Sequence, residues 1–513
     1  MPFLFKKINT RQVAELALNA TKDSGSILRR QDMQKRIEYF NDKQEQYLTN
    51  ALLLQFEYPQ RLKLQKEFFN ITNLMINELA VLYNEDPLRE LKDGNDKDAE
   101  IFDAILENTN LNNTLQTVNQ YTKLLKTVLV KPEWDKDAES IAYRIFTPNM
   151  YDVIMDEINP TKAKAIVYSN NFSSDIFYNN DDTKTSKDQF QQPDTVFHVW
   201  TAEQYFMFTY QLGRKGEIVI TLKDNPENAD NINPYGTLDI FVPFRDGTVV
   251  DDFFLEGGSD IIVTNEAINI KLTELNYLIK MQSFSIPVRK GAAKGSTPVV
   301  LDPSMTIDLP ADDDMGKSDF KFVSPEAKIT EVQSEIEQKL RRIALKYKMN
   351  PDMFNASGNK SSSESLQLQN YAQGRLIKKD KPYFRKAELN LFKMTKLVNN
   401  THNAAKFSDN VTLFVDFRDS EMPMTVKDKD AHNITLYNNG LITKAEWLLE
   451  DNPDLGDIKT AEEKIAAIDE AKAIDAENNM KRIQSNPLLL QKEGLTPPDE
   501  SIKPIEKDKK PKQ

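Results

Sequence analysis

The stretch TNEAINIKLTELNYLIKMQSF at 264–284 repeats its apolar residues at intervals of three and four, which predicts a helix. Its apolar positions fall on two faces, with Ile268, Leu272, Leu275 and Ile279 on one and Ile270, Tyr277 and Met281 on another. A helix that is apolar on two sides has packing neighbours on two sides. We therefore expect this segment to pack against more than one other element.

A second long helix is predicted downstream, in SPEAKITEVQSEIEQKLRRIALKYKMN at 324–350. Ser324, Pro325 and Glu326 suit a helix start, because Ser caps, Pro fits the first turn and Glu suits the positive end. The apolar stripe consists of Ile329, Val332, Ile336, Leu340, Ile343 and Tyr347. Between the two helices, residues 285–324 are rich in Pro and Gly, with short strand candidates at 299–301 and 305–309. Two long helices thus flank a compact β-containing knob.

Further along the chain, the polar loop DMFNASGNKSSS at 352–363 precedes a third long helix pattern that extends to about Asn400. Gly374 and Pro382 lie inside this pattern, and an internal proline removes a helix hydrogen bond, so we expect a kink there. VTLFVDFRD at 411–419 predicts a strand, and residues 425–478 return to a helical pattern with an Asn-Gly turn. The last residues have too few apolar groups to fold.

Upstream of the first helix, the pattern is helical from Arg11 to about Glu90 and again from 98 to 131, with an Asn-rich interruption at 108–113. Within the first of these stretches, the pattern predicts a helix that begins at Leu64 and ends at Pro87. Between 140 and 244, short runs of branched and aromatic residues predict a mixed or antiparallel β unit. These runs include SDIFYNN at 174–180 and FHVWTAEQYFMF at 197–208, the latter interpreted as a buried strand with its turn.

Composition excludes several classes of function. The 513 residues exceed what one core supports, and 66 basic against 79 acidic residues give a net charge of −13. Such a chain does not coat DNA or anionic membrane by bulk charge. The absence of cysteine excludes disulfides, thiol nucleophiles and thiolate metal sites, and three histidines without paired spacing offer little for a metal. No apolar run reaches the length of a membrane span, and the N-terminus lacks the order of a signal peptide.

No catalytic motif stands out. GAAKGST at 291–297 is not a phosphate loop, because Lys294 precedes Gly295 instead of following it. Lys294, Arg289 and Lys290 form a small basic cluster. This cluster is either part of a solvated loop or a contact for phosphate or a partner. Asp312, Asp313 and Asp314 are interpreted as an exposed acidic turn. We therefore expect no enzyme activity, no cofactor and no metal.

The order of these elements resembles the portal, or head-to-tail connector, protein of tailed bacteriophages of the long-tailed, siphovirus-like type. The similar stretches are FFNITNLMINELAVLYNEDP at 68–87, NINPYGTLDIFVPFRD at 231–246, LEGGSDIIVTNEAINIKLTELNYLIKMQSFSIPVRKG at 255–291, LRRIALKYKMNPDMF at 340–354 followed by SSSESLQLQ, and VDFRDSEMPMT at 415–425 followed by LYNNGLITKAEWL. The resemblance covers most of residues 60–480 and excludes both termini.

The resemblance implies an α+β portal fold assembled as a ring. Its parts would be an N-terminal region and wing at 1–263, stem helices at 264–284 and 325–349, a clip at 285–324, a tunnel loop at 350–361, a kinked tunnel helix and late wing strand at 362–425, a crown at 426–480 and a disordered tail at 481–513. The stem would pack through the two apolar stripes named above, from Ile268 to Ile279 and from Ile329 to Ile343. Asn355, Ser357, Gly358, Asn359 and Lys360 of the tunnel loop would lie nearest DNA.

The resemblance also implies a function. A ring, expected to have twelve copies, would occupy one capsid vertex and conduct double-stranded DNA during packaging and ejection, without sequence specificity. The terminase large subunit and a head-tail adaptor would dock on it, and major capsid and scaffolding proteins would surround it. The ring would be assembled in the host bacterial cytoplasm, away from membranes, and remain in the virion. The alternatives are a structural head-tail adaptor or scaffold component without a DNA channel, or a DNA-packaging enzyme.

Overall fold

The computed structural model describes residues 9–55, 64–169, 195–212, 218–224, 228, 230–283, 286–292, 307–310, 319–323, 328–354, 363–417, 426–452 and 457–485. The chain divides into two compact units, Met1–Glu421 and Met422–Gln513. Both helices and sheets are present, so the fold class is α+β. The predicted strands at 174–180 and 299–301, the capping residues 324–326 and the tunnel-loop residues 355–361 lie outside the described residues.

In its described residues, the first unit begins with six helices: α1 (Thr10–Lys22), α2 (Ser24–Phe40), α3 (Glu45–Gln55), α4 (Ile71–Leu79), α5 (Asp96–Thr109) and α6 (Leu111–Leu125). The Asn-rich interruption is confirmed, because Asn110 adopts a left-handed conformation between α5 and α6. The prediction of a continuous helix from Leu64 to Pro87 is wrong. Residues 64–70 are not helical, and the Asn70 side chain caps α4 by accepting from the Asn73 amide at 2.9 Å.

Two antiparallel sheets form the middle of this unit. The strands are β2 (Thr127–Asp135), β3 (Ser140–Phe146), β4 (Tyr151–Met155), β5 (Ala163–Ser169), β6 (Phe197–Thr201), β7 (Tyr205–Leu212), β8 (Ile218–Lys223) and β9 (Val242–Arg245). Strand order is β3-β2-β9 in one sheet and β4-β5-β6-β7-β8 in the other. The predicted β unit is therefore confirmed as antiparallel, and 197–208 forms the β6–β7 hairpin.

A two-stranded sheet that the sequence did not indicate joins distant parts of the chain. β1 (Leu88–Lys92) pairs antiparallel with β13 (Thr412–Asp416), so that Glu90 lies opposite Phe414. The predicted strand at 411–419 is confirmed, but its partner was interpreted as helix. This pairing closes the first unit across more than 300 residues.

The long helices follow the β unit: α7 (Ser259–Gln282), α8 (Ile329–Lys346) and α9 (Ser363–His402). The helix at 264–284 is present but begins five residues earlier, within the segment assigned to the wing. Between α7 and α8 lie β10 (Ile286–Ala292), β11 (Ile307–Pro310) and β12 (Asp319–Val323), with β10 in the centre, parallel to β11 and antiparallel to β12. The helix of 40 residues, α9, continues through Gly374 and Pro382, and its kink stays a prediction.

The second unit is helical in its described residues, with α10 (Val426–Asn438), α11 (Lys444–Asp451) and α12 (Ile458–Ser485). The predicted Asn-Gly turn lies between α10 and α11, where Gly440 has a φ of 70°. Thr443 and Glu446 form a reciprocal capping box at the start of α11. Because α12 extends to Ser485, the disordered tail predicted for 481–513 is wrong for its first five residues; residues 486–513 lie outside the description.

Candidate functional site

The helices α7 and α8 form an antiparallel pair that is fastened at one end by an acid. Tyr347, just after α8, donates a hydrogen bond of 2.8 Å to Asp260 Oδ1 in the first turn of α7. Lys346 Nζ lies 2.7 Å from Asp260 Oδ2. Burial acts to raise the pKa of Asp260, but these two partners outweigh it and lower the pKa below its ordinary value. The sheet of β10–β12 connects the opposite ends of the pair.

The apolar residues predicted for the stem fall into three groups. Buried are Ile268, Leu275, Ile336 and Ile343, each with 8% exposure or less. Leu272, Ile329, Val332 and Leu340 are half-buried and pack against the same hydrophobic cluster. Ile279 differs, since 41% of its surface is exposed in the single chain. Eight of the nine residues predicted for the stem therefore pack within the chain, and we call these eight the seam.

Another face of α7 is polar and buried, and it binds the segment 67–72 of the same chain. Asn265 Oδ1 accepts from the Thr72 amide at 3.0 Å and from the Thr72 hydroxyl at 2.9 Å. Asn269 Oδ1 accepts from the Phe69 amide at 2.9 Å, and the Thr273 hydroxyl accepts from the Glu67 amide at 3.1 Å. We call Asn265, Asn269 and Thr273 the α7 polar ladder. It binds the backbone amides of Glu67 and Phe69, which precede α4, and that of Thr72 in the first turn of α4.

The ladder changes the interpretation of α7. The sequence predicted neighbours on two apolar faces, whereas the structure supplies α8 on one side and the 67–72 segment with α4 on another, both from the same chain. Ile270 and Tyr277, assigned to the second apolar face, are only half-buried. The only signal for the ladder was Asn265, Asn269 and Thr273 at intervals of four, a pattern that usually indicates a solvated face.

Some apolar side chains of the pair remain exposed in the single chain. Val263 on α7 is 62% exposed, and Leu345 on α8 is 59% exposed. Both lie within a few residues of the Asp260–Lys346 ion pair, near the same end of the two helices. Together with Ile279, they leave apolar surface on the outside of the pair.

The other predicted sites are only partly described. Arg289 and Lys290 lie on the central strand β10, where Arg289 is opposite Asp308 of β11 and Lys290 is opposite Asp319 of β12. Lys294 lies outside the described residues, as do Asn355, Ser357, Gly358, Asn359 and Lys360. Their roles stay predictions.

Buried ion pairs fasten α9 to the rest of the first unit. Lys123 Nζ lies 2.7 Å from Asp380 Oδ2 of α9 and 2.5 Å from Asp246 Oδ1. Burial acts to lower the pKa of Lys123, but the two carboxylates raise it above its ordinary value. Farther along α9, Glu388 accepts from Arg89 Nε at 2.8 Å and from the Tyr83 hydroxyl at 2.6 Å. Both acids of this part of α9 therefore point inward.

In the described part of the chain, no group of three or more His, Asp or Glu side chains is placed to hold a metal ion. None of the described helices is both long and apolar enough to cross a membrane.

No protein-family model matches this sequence, and no curated protein is similar to it. The solved structures that are weakly similar to this chain include the neck of an empty gene transfer agent particle computed with C6 symmetry and the virion of a native gene transfer agent particle. Each is 10% identical with a TM-score of 0.39, and the match covers 73% of this chain and 88% of the other. A TM-score of 0.39 is too low to assign a shared fold or function.

Proposed function

We propose that this chain is a portal protein, which forms a ring of twelve copies around a channel for double-stranded DNA at one capsid vertex. In this proposal α7 and α8 are the stem, the β10–β12 sheet is the clip, and α9 is the tunnel helix. The terminase large subunit and then a head-tail adaptor dock on the clip, while capsid and scaffolding proteins surround the wing. The chain itself performs no catalytic step.

The observation that carries the proposal is the antiparallel α7–α8 pair with a small sheet at one end and apolar side chains left exposed on its outside. Val263 and Leu345 are exposed apolar side chains near the same end of the pair, and they suit a surface that a neighbouring copy covers. A closed ring forms when each copy presents two different complementary surfaces to its neighbours. The polar segment before α9 fits a loop beside DNA.

The mass in solution tests the ring. Twelve chains of 58.9 kDa amount to about 707 kDa, and electron micrographs would show a hole along the axis. A species that stays monomeric or dimeric under all assembly conditions would contradict the proposal. A closed ring without a hole wide enough for duplex DNA would favour the adaptor or scaffold alternative.

Leu345→Asp tests the surface that we assign to the neighbouring copy. Because Leu345 is largely exposed in the single chain, we expect its free energy of unfolding to change by less than about 0.5 kcal/mol. A charge buried between copies without a partner is costly, so the ring should be lost. Ile158→Asp is the matched control, since Ile158 is 88% exposed in the β4–β5 turn and should leave the ring intact. Rings from both variants would remove the stem interface from the proposal.

A further inference from the structure

The exposed face of α9 carries a row of cations that stands out in an acidic chain. Between Gly374 and Lys396 the helix has eight basic residues and two acidic ones, whereas the whole chain has a net charge of −13. The two acids, Asp380 and Glu388, are each 2% exposed and bound to Lys123 and Arg89, respectively. Neither acid is available to neutralise the outer face.

Three of the eight cations contact residues in and around β13. Lys381 donates to the carbonyl of Phe417 at 2.6 Å, and Arg385 donates to Asp416 at 2.9 Å. Lys396 donates to the carbonyls that precede β13, including that of Asp409 at 2.7 Å. These contacts fasten α9 to β13 and explain why those positions are basic.

Four of the other five cations fall on one side of the helix. Arg375, Lys379, Lys386 and Lys393 are spaced 4, 7 and 7 residues apart, intervals that return to the same side at 3.6 residues per turn. All four are exposed, and we call them the α9 cationic row. The opposite side is buried, with Phe384 and Leu391 at 1% and 2% exposure. At 1.5 Å per residue the row is about 27 Å long.

We propose that the α9 cationic row binds the phosphate backbone of double-stranded DNA. The proposed function supplies only the identity of the polymer; the row itself is a feature of the single chain. A phosphate backbone carries one negative charge per about 1.7 Å of duplex, so it offers a partner along the whole row. Lysine binds phosphate as a flexible point charge, which suits contact without reading sequence.

Duplex DNA fits this face better than single-stranded nucleic acid does. Surfaces for single strands add exposed aromatic rings on which bases stack. On the side of α9 that carries the row, the intervening residues are Pro382, Leu389 and Asn390, and Tyr383 is half-buried and hydrogen-bonded to Thr248 at 3.2 Å. Among the described side chains, the row can therefore hold a backbone but has no exposed aromatic ring for stacking.

The test compares two triple variants of the full chain. Lys379→Gln, Lys386→Gln and Lys393→Gln remove three charges from the row, which takes the net charge from −13 to −16. The control replaces Lys97, Lys162 and Lys459 with Gln, which are exposed at other places and give the same −16. Binding of a fluorescent 30-base-pair duplex is measured by anisotropy at several salt concentrations, with the mass of each preparation measured in parallel.

We expect the row variant to bind the duplex at least about tenfold more weakly than the control at 100 mM salt. The slope of log affinity against log salt should fall by about 2.7, which is three phosphate contacts at about 0.9 each. Equal affinities and slopes for the two variants would overturn the proposal. Polyglutamate that competes as well as DNA at equal charge would overturn the assignment to a phosphate backbone in favour of an acidic protein partner.

The measured mass separates this site from the proposed function. Row-dependent DNA binding by a chain that never forms rings would support the row and contradict the portal. Rings that bind DNA equally with and without the row would contradict the row and leave the portal standing.

Discussion

Two helices of similar length, α7 and α12, are held in opposite ways. α7 has 24 residues and packs α8 on one side while its polar ladder holds the 67–72 segment on another. α12 has 28 residues, yet among its described side chains only Ala461 is buried. Ile468 and Ile474 of α12 are 41% and 53% exposed. Helices of similar length therefore form part of the core in the first unit and a largely exposed helix in the second.

Instead of many buried side chains, α12 has contacts between residues that are three or four apart in sequence. Asp457 accepts from the Thr460 amide at 2.9 Å, and hydrogen bonds from Thr460 lower the pKa of this carboxyl. Glu477 and Lys481 form an ion pair at i and i+4 with an N–O distance of 2.6 Å. Such contacts contribute only a few tenths of a kcal/mol each when exposed, whereas burying a seam residue contributes several times more. The two helices should consequently respond very differently to the same substitution.

Ile268→Ala should have the largest effect. Ile268 is 1% exposed, so the change leaves a cavity beside α8 and should lower the free energy of unfolding of the first unit by about 2–5 kcal/mol. Ile468→Ala on α12 is the matched change and should cost less than about 0.5 kcal/mol. Urea unfolding followed by Trp134 and Trp200 reports the first unit, and Trp447 reports the second. Equal losses would mean that α12 is covered as α7 is.

Removal of one rung of the polar ladder should cost less than a cavity in the seam. Asn265→Ala leaves the amide and hydroxyl of Thr72 without their acceptor, while the carbonyl of Phe69 loses one donor and keeps the Ile71 amide. Buried groups left unpaired cost about 1–3 kcal/mol, so we expect a loss in that range in the same urea experiment. Gln282→Ala, at the exposed end of α7, is the control. A loss no greater than the control's would show that the 67–72 segment is held by other contacts.

The sequence predicted the elements whose signals are local. The helix patterns at 264–284 and 324–350, the Asn-Gly turn and the branched strands such as 197–208 are all marked by their own residues, and the structure has them. β1 was missed because Leu88–Lys92 contains no β-branched or aromatic residue, so nothing local distinguishes it from helix. It becomes a strand by pairing with β13, which lies far away in the sequence.

The ladder was missed for a related reason. In sequence, Asn265 and Asn269 look like solvent-facing residues of an amphipathic helix. Their partners lie in a segment about 200 residues earlier in the chain, which packs against them only in the folded structure. The excess of basic residues in α9 is visible in the sequence, but which cations lie on its outer face, away from Asp380 and Glu388, is not. The burial of these two acids, which removes them from the outer face, depends on Lys123 and Arg89 from other elements. Polar residues acquire their roles from tertiary neighbours, which periodicity does not reveal.

The smallest effect is expected at the ion pair that fastens the end of α7 to α8. The pKa of Asp260 is lowered in the folded chain, so the pair contributes stability above the ordinary pKa of about 3.9, and this stability is lost as the pH falls through the lower folded value. Because Lys346 is 63% exposed, solvent screening keeps the contribution below about 1 kcal/mol. Asp260→Asn should therefore unfold slightly more easily than the unmodified chain between pH 5 and 7, and the difference should shrink as the pH falls below the ordinary pKa of the carboxyl. A difference that grows on acidification would mean that Asp260 is held by something other than its charge, and α7 would then be fastened by packing alone.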